Sequence, residues 1–209
     1  MSTILEAQNV LFKDVISYPH ICISSGITTF IQGKSGCGKS TLLKLFNATV
    51  NPTVGDLFYD GKNIKELDTI KLRQEVLLAS QNVFLFCGSV SDNFKQFYNY
   101  RNLSEISDEK IKEYLDICCS DFCPTDICDN MSGGERQRIY IAVCLSLMPK
   151  VLMLDEPTSA LDDKTSRQLL ENVKGFCSDN DITLIAVSHN LELCQEFADD
   201  FIVLTKEGD

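Results

Sequence analysis

Long apolar runs are missing from this chain of 209 residues. No stretch approaches the ~20 apolar residues that a membrane-spanning helix requires, so any membrane role must come through a partner. The opening, MSTILEAQNVLF, has neither a basic region nor an apolar core, which predicts no secretory signal. Basic charge is also scarce: 19 Lys and Arg stand against 30 Asp and Glu, a net charge of −11. Binding to nucleic acid rests on basic patches that displace counterions from phosphates, so nucleic acid is not expected as a partner. A local basic site for a nucleotide is compatible with the same balance. Internal repeats and low-complexity linkers are absent, and the length fits one domain able to bury roughly 70% of its unfolded surface. Cysteine, by contrast, is plentiful, with ten residues. They are expected as reduced thiols. The densest group, Cys118, Cys119, Cys123 and Cys128, lacks paired C-x-x-C spacing and a nearby histidine. It reads as small apolar residues rather than as a structural zinc site.

Strand-like runs at 3–12, 21–24, 27–32, 57–59 and 75–80 alternate with turn residues and, after Gly38, with an apolar helix over 40–48. From Asn82 to Asn130 the text turns polar, with helical periodicity around Ile106–Cys119, and this segment reads as an inserted helical subdomain. A helix from Gly134 to about Met148, a strand at 151–154, a helix over 163–177, a strand at 182–187, a helix over 190–197 and a strand at 201–204 follow. Strands alternating with helices imply an α/β fold with a mainly parallel sheet.

Gly33, Lys34, Ser35, Gly36, Cys37, Gly38, Lys39, Ser40 and Thr41 fit G-x-x-x-x-G-K-[ST] between a strand and a helix. Glycines there let backbone N–H groups approach phosphate oxygens, and the helix N-terminus adds a favourable dipole. Lys39 supplies charge for the outer phosphates, and the Ser40 hydroxyl is suited to a Mg²⁺ shell. Cys37, near a helix N-terminus, is a candidate reactive thiol whose alkylation would block ATP binding. The run Val151-Leu152-Met153-Leu154 reads as a buried strand ending in Asp155 and Glu156, at the end of a parallel strand where ligands bind. Asp155 is placed to hold Mg²⁺ and Glu156 to polarise an attacking water.

The third motif, Met131-Ser132-Gly133-Gly134-Glu135-Arg136-Gln137, resembles the ABC ATPase signature usually written L-S-G-G-Q. Met131 and Glu135 depart from that form. With all three motifs in order, the resemblance covers nearly the whole chain. It implies an ABC-type P-loop ATPase with a mainly parallel core sheet and an N-terminal antiparallel β region. The ATP-binding core would span 1–81 and 132–209, with a helical signature subdomain at 82–131. Gln81 then resembles the glutamine that touches Mg²⁺ and the attacking water, and His189 the histidine that contacts the γ-phosphate. Ser159-Ala160-Leu161-Asp162 resembles the loop that crosses the dimer interface. The run Gln81–Phe86 reads equally as core hydrophobes or as a segment docking on a membrane partner. Phe12 fits best as the ring stacked on adenine, with Tyr18 as the alternative.

What the resemblance implies is ATP hydrolysis with Mg²⁺, catalysed by Glu156 with His189, Lys39 and Gln81. Ser132, Gly133, Gly134 and Glu135 would close the phosphate site of a second copy. The expected partners are that copy and an integral-membrane permease, at the cytoplasmic face of the membrane. Small two-component exporters of the iron-export type are the narrower likeness. Soluble ABC ATPases acting on ribosomes or DNA usually carry tandem units or a long coiled-coil insertion, and neither is present. A nucleotide kinase has no use for the signature.

Overall fold

The computed structural model describes residues 2–205. In chain order it contains β1 (Thr3–Phe12), β2 (Ile16–Ser24), β3 (Thr28–Gln32), α1 (Lys39–Phe46), β4 (Val54–Tyr59) and β5 (Lys62–Asn63). Then come α2 (Thr69–Glu75), β6 (Val76–Ala79), α3 (Val90–Tyr100), α4 (Asp108–Ile117) and α5 (Gly133–Ser146). The chain closes with β7 (Val151–Asp155), α6 (Asp163–Asp179), β8 (Thr183–Val187), α7 (Leu191–Phe197) and β9 (Asp200–Val203). Among the described residues no helix is long and apolar enough to cross a membrane.

Two sheets form, ordered β2-β1-β4-β5 and β6-β7-β8-β3-β9. The first is antiparallel throughout and the second parallel throughout. The predicted α/β fold, with a parallel core sheet and an antiparallel N-terminal region, is the one observed. Alternate residues of β7 serve two cores. Leu152 and Leu154 pack with α5 and α6 residues such as Ile139 and Leu169. Val151 and Met153 pack with Leu42 and Leu45 of α1 and with Leu5 and Ala7 of β1. A parallel sheet covered on both faces reads as a continuous apolar run, which is why 151–154 was legible. Each such side chain contributes about 1.5–3 kcal/mol on burial.

Several elements differ from expectation. The first strand pair is longer than predicted, because β2 begins at Ile16 and pairs Phe12 with Ile16 through a tight hairpin. Helices α2 and α3 were not predicted. In α3 a capping box joins Ser89 and Asp92, a start signal that was readable. Its inward face is broken by Asn93, which is fully buried. Asn93 accepts from the Phe86 N–H (2.8 Å) and donates to the carbonyls of Phe86 (3.1 Å) and Ser89 (3.0 Å). A buried amide so fully bonded is inexpensive in the structure yet reads as polar in the sequence. Cys118 and Cys128 are buried, Cys119 is half-buried and Cys123 exposed, all as free thiols.

Candidate active site

Parallel pairing lays β6, β7, β8 and β3 side by side, so the loops after their carboxyl ends lie along one edge of the sheet. Those loops carry Gln81, the Asp155–Glu156 pair, His189 and the phosphate loop.

The phosphate loop is held from below. Gly38 sits at φ +99°, and a Cβ there would lie 2.5 Å from the Tyr18 hydroxyl and 2.7 Å from Cγ2 of Ile16. Only glycine combines that conformation with so close an approach. Tyr18 has 0% exposure, and its hydroxyl donates to the Gly38 carbonyl at 2.7 Å. Burial pushes the Tyr18 phenol well above its ordinary pKa. Tyr18 is therefore a support beneath the loop, and the alternative that placed it on adenine is corrected. Phe12 is half-buried and pairs across the hairpin with Ile16, the residue whose Cγ2 lies against Gly38. Gly33 likewise has no room for a side chain: its Cβ would meet the Leu204 carbonyl at 2.4 Å and Cys37 Sγ at 2.6 Å. Cys37, expected as a reactive thiol, is buried within the loop, so the fold does not present its sulfur to solvent. Lys39 is also buried, and its Nζ donates to the carbonyls of Gly33 (2.8 Å) and Lys34 (3.1 Å). These bonds hold the ammonium over the loop.

Asp155 is 4% exposed and accepts from Ser40 Oγ at 3.0 Å. Burial raises its carboxyl pKa, with the adjacent Glu156 charge adding and the Ser40 bond opposing. Two hard oxygen donors in a site that penalises an uncompensated negative charge suit a Mg²⁺ ion. Glu156 takes a left-handed backbone conformation, φ +54°, which costs about 1–3 kcal/mol for a residue with a side chain. Its N–H bonds to the Val187 carbonyl at 3.1 Å, and its own carbonyl accepts from Gln137 Nε2 and Ser159 Oγ, both at 3.2 Å. The turn aims the carboxylate at two partners: Gln81 Nε2 at 3.0 Å and His189 Nε2 at 2.8 Å.

Ser132 caps α5 and shares a capping box with Glu135: the Ser132 N–H reaches Glu135 Oε2 at 2.7 Å, and the Glu135 N–H reaches Ser132 Oγ at 3.4 Å. Those bonds from Ser132 hold the Glu135 carboxyl below the usual range. Ser132 and Gly133 are exposed. A Cβ on Gly134 would lie 3.3 Å from the Cβ of Ala160, so α5 starts against the loop after Glu156. The structure therefore groups Ser40, Asp155, Glu156, Gln81 and His189, while the α5 start faces outward.

Two side chains were not singled out by the sequence. Arg136 donates to the carbonyls of Cys128 (2.9 Å) and Leu85 (3.5 Å), and Gln137 reaches back to Glu156. Both stand inside the signature run, where their reach across 51 and 19 residues leaves no local signal. In the Gln81–Phe86 segment, Leu85 is buried while Phe84 is 66% exposed. Its ring packs edge-on against Phe86, which touches Phe97 and Tyr100.

Residues 17–159 match the family model described as ABC transporter. The probable iron export ATP-binding protein FetA of Escherichia coli is 32% identical over 194 residues, which cover 90% of this chain and 86% of that protein. The phosphonates import ATP-binding protein PhnC 2 of Synechococcus is 34% identical over 199 residues, covering 87% of this chain and 72% of that protein. The structure of cbiO1 from Clostridium perfringens, part of the ABC transporter complex cbiONQ, superposes with a TM-score of 0.82 at 26% identity. That superposition covers 100% of this chain and 86% of cbiO1.

Proposed function

This chain belongs to the ABC transporter family as an ATP-binding, ATP-hydrolysing subunit, and from that premise we propose that two copies close around ATP to drive a separate membrane permease. The observation that carries the reading is the Glu156 carboxylate, strained into position and clamped between Gln81 and His189 beside the Ser40–Asp155 pair. A carboxylate so held is a general base for water. It takes the proton as the water oxygen attacks the γ-phosphorus and the bond to the bridging oxygen breaks, a role typically worth 10²–10⁴-fold. Gln81 and His189 orient the carboxylate and the water. Lys39 and the loop N–H groups stabilise the charge that develops on the phosphate oxygens. Mg²⁺, when bound, would be held by Ser40, Asp155 and the Gln81 carbonyl oxygen, and would neutralise phosphate charge. Phe12 stacks on adenine.

Dimerisation follows from the outward start of α5. Among the described residues, the side chains of Ser132 and Glu135 bond to each other's backbone N–H groups and to no phosphate-loop residue of their own chain. A head-to-tail second copy would let each signature complete the other's site. Arg136 ties that helix to the Leu85 carbonyl and Asn93 ties Phe86 to α3. Closure at the nucleotide is thereby transmitted to the exposed Phe84 surface, where the permease docks at the cytoplasmic face. The helical unit at 82–131, inserted in the core of 1–81 and 132–209, acts as the lever. Likeness runs along 86% of the iron-export protein against 72% of the phosphonates import protein, and the fuller match favours outward transport of a metal ion. Raised cellular iron on loss of the gene is the expected result, and unchanged iron refutes that direction and cargo.

The dimer is tested by the solution mass of Glu156→Gln with and without Mg-ATP, measured by light scattering. Doubling of the mass on adding nucleotide is expected. A constant monomer mass with ATP binding demonstrated overturns the composite site.

A further inference from the structure

Strands β1 and β2 place four polar side chains in a two-by-two grid on the outer face of the antiparallel sheet. Glu6 lies opposite Cys22, and Gln8 opposite His20. Their sequence neighbours Leu5, Ala7, Ile21 and Ile23 point the other way and are buried, as the period of two requires. Ligand atoms of Glu6, His20 and Cys22 all lie within 4.8 Å of one another. His20 Nε2 is 2.7 Å from Glu6 Oε1 and 3.3 Å from Cys22 Sγ. Gln8 Nε2 donates to Glu6 Oε1 at 2.8 Å and fixes the carboxylate toward the histidine. Phe58, paired with Glu6 from β4, flanks it on the other side.

We propose that Glu6, His20 and Cys22 form a site for one zinc-class divalent cation, distinct from the nucleotide site, with a fourth position open to water. The donor set is one imidazole nitrogen, one thiolate and one carboxylate oxygen, the mixture that tetrahedral Zn²⁺ takes. Bond lengths of ~2.0–2.3 Å and tetrahedral angles put neighbouring donors about 3.5 Å apart. The observed 3.3 Å already matches, and the Glu6–His20 hydrogen bond opens by less than an ångström as its proton leaves. The soft thiolate and the imidazole separate this site from the all-oxygen Ser40–Asp155 pair, so Mg²⁺ does not compete for it. Two ligands sit on edge strand β2 and one on β1, so the ion cross-links the strand pair whose hairpin carries Phe12 and Ile16.

The test is titration of metal-stripped full-length chain with Co²⁺, followed by Zn²⁺. A near-ultraviolet thiolate-to-cobalt band reaching one equivalent, and bleached by Zn²⁺, is expected. Cys22→Ser should abolish the band, and His20→Ala should weaken Zn²⁺ on the order of 10-fold or more, with ATP binding unchanged in both. Cys87 and Cys123 are also exposed and serve as internal controls in the parent chain. Zn²⁺ should slow iodoacetamide labelling of Cys22 and leave those two unaffected, a readout that needs no variant to fold. A band that survives Cys22→Ser, or equal protection of all three thiols, overturns the site.

Discussion

Replacing Tyr18 by phenylalanine isolates one hydroxyl whose purpose is visible only in three dimensions. That hydroxyl donates to the Gly38 carbonyl at 2.7 Å, an oxygen that also accepts the Leu42 N–H at 2.9 Å. The carbonyl keeps one partner when the hydroxyl is removed, so the cost is that of one net hydrogen bond, about 0.5–1.5 kcal/mol. For a chain of this size each kcal/mol lowers Tm by about 2–4 °C. Tyr18→Ala removes the ring as well and should cost about 3–5 kcal/mol through the cavity it leaves. Thermal melts paired with titration of a fluorescent ATP analogue give both readouts. Tyr18→Phe should lower Tm by a few degrees and loosen nucleotide binding as the loop slackens. Gly38→Ala, which drives a Cβ toward that hydroxyl, should do less harm in the Tyr18→Phe background, with a coupling of about 0.5–3 kcal/mol. A Tyr18→Ala chain that melts like the parent yet binds ATP weakly would refute the reasoning, because it would place the ring against the nucleotide.

Asp155→Asn should stabilise the nucleotide-free chain while abolishing hydrolysis. Its folded carboxyl pKa is raised by burial, so the favourable contribution is present at low pH and lost as pH rises through the folded pKa. The variant should therefore melt higher at neutral pH, by about 0.5–2 kcal/mol, and show less decline with rising pH; equal melting across the pH series contradicts this. Phe12→Ala should weaken ATP by about 1–3 kcal/mol with little change in Tm, measured by the same titration. Ser132→Ala should cost about 1 kcal/mol of stability through the lost cap and also suppress ATP-driven dimerisation, seen as an unchanged mass in light scattering on the Glu156→Gln background. Alkylation of the free chain, followed by peptide mass spectrometry, should modify Cys87 and Cys123 well before the buried Cys37.

The sequence by itself determined the class of fold and the local phosphate chemistry. A phosphate loop, a strand ending in two acids and a capped helix start are each contiguous runs. Backbone conformation and local charge dictate their composition, so Gly33–Thr41, Asp155–Glu156 and Ser132–Glu135 could be read in place. The parallel strands were equally legible, since burial on both faces leaves an uninterrupted apolar run. Tertiary structure alone decided which of these residues meet. Gln81 reaches Glu156 across 75 residues because β6 and β7 are sheet neighbours, and His189 arrives from β8 on the other side. Strand order is a property of the whole packing, with no local signature. Helix α3 has a weak sequence signal because its buried Asn93 finds its partners only in the fold, and the place of Tyr18 beneath the glycine loop, rather than on adenine, is set by tertiary packing. The Glu6–His20–Cys22 grid belongs to the same class: His20 and Cys22 share one face of β2, but Glu6 lies 14 positions from His20, and only the paired sheet sets it beside them.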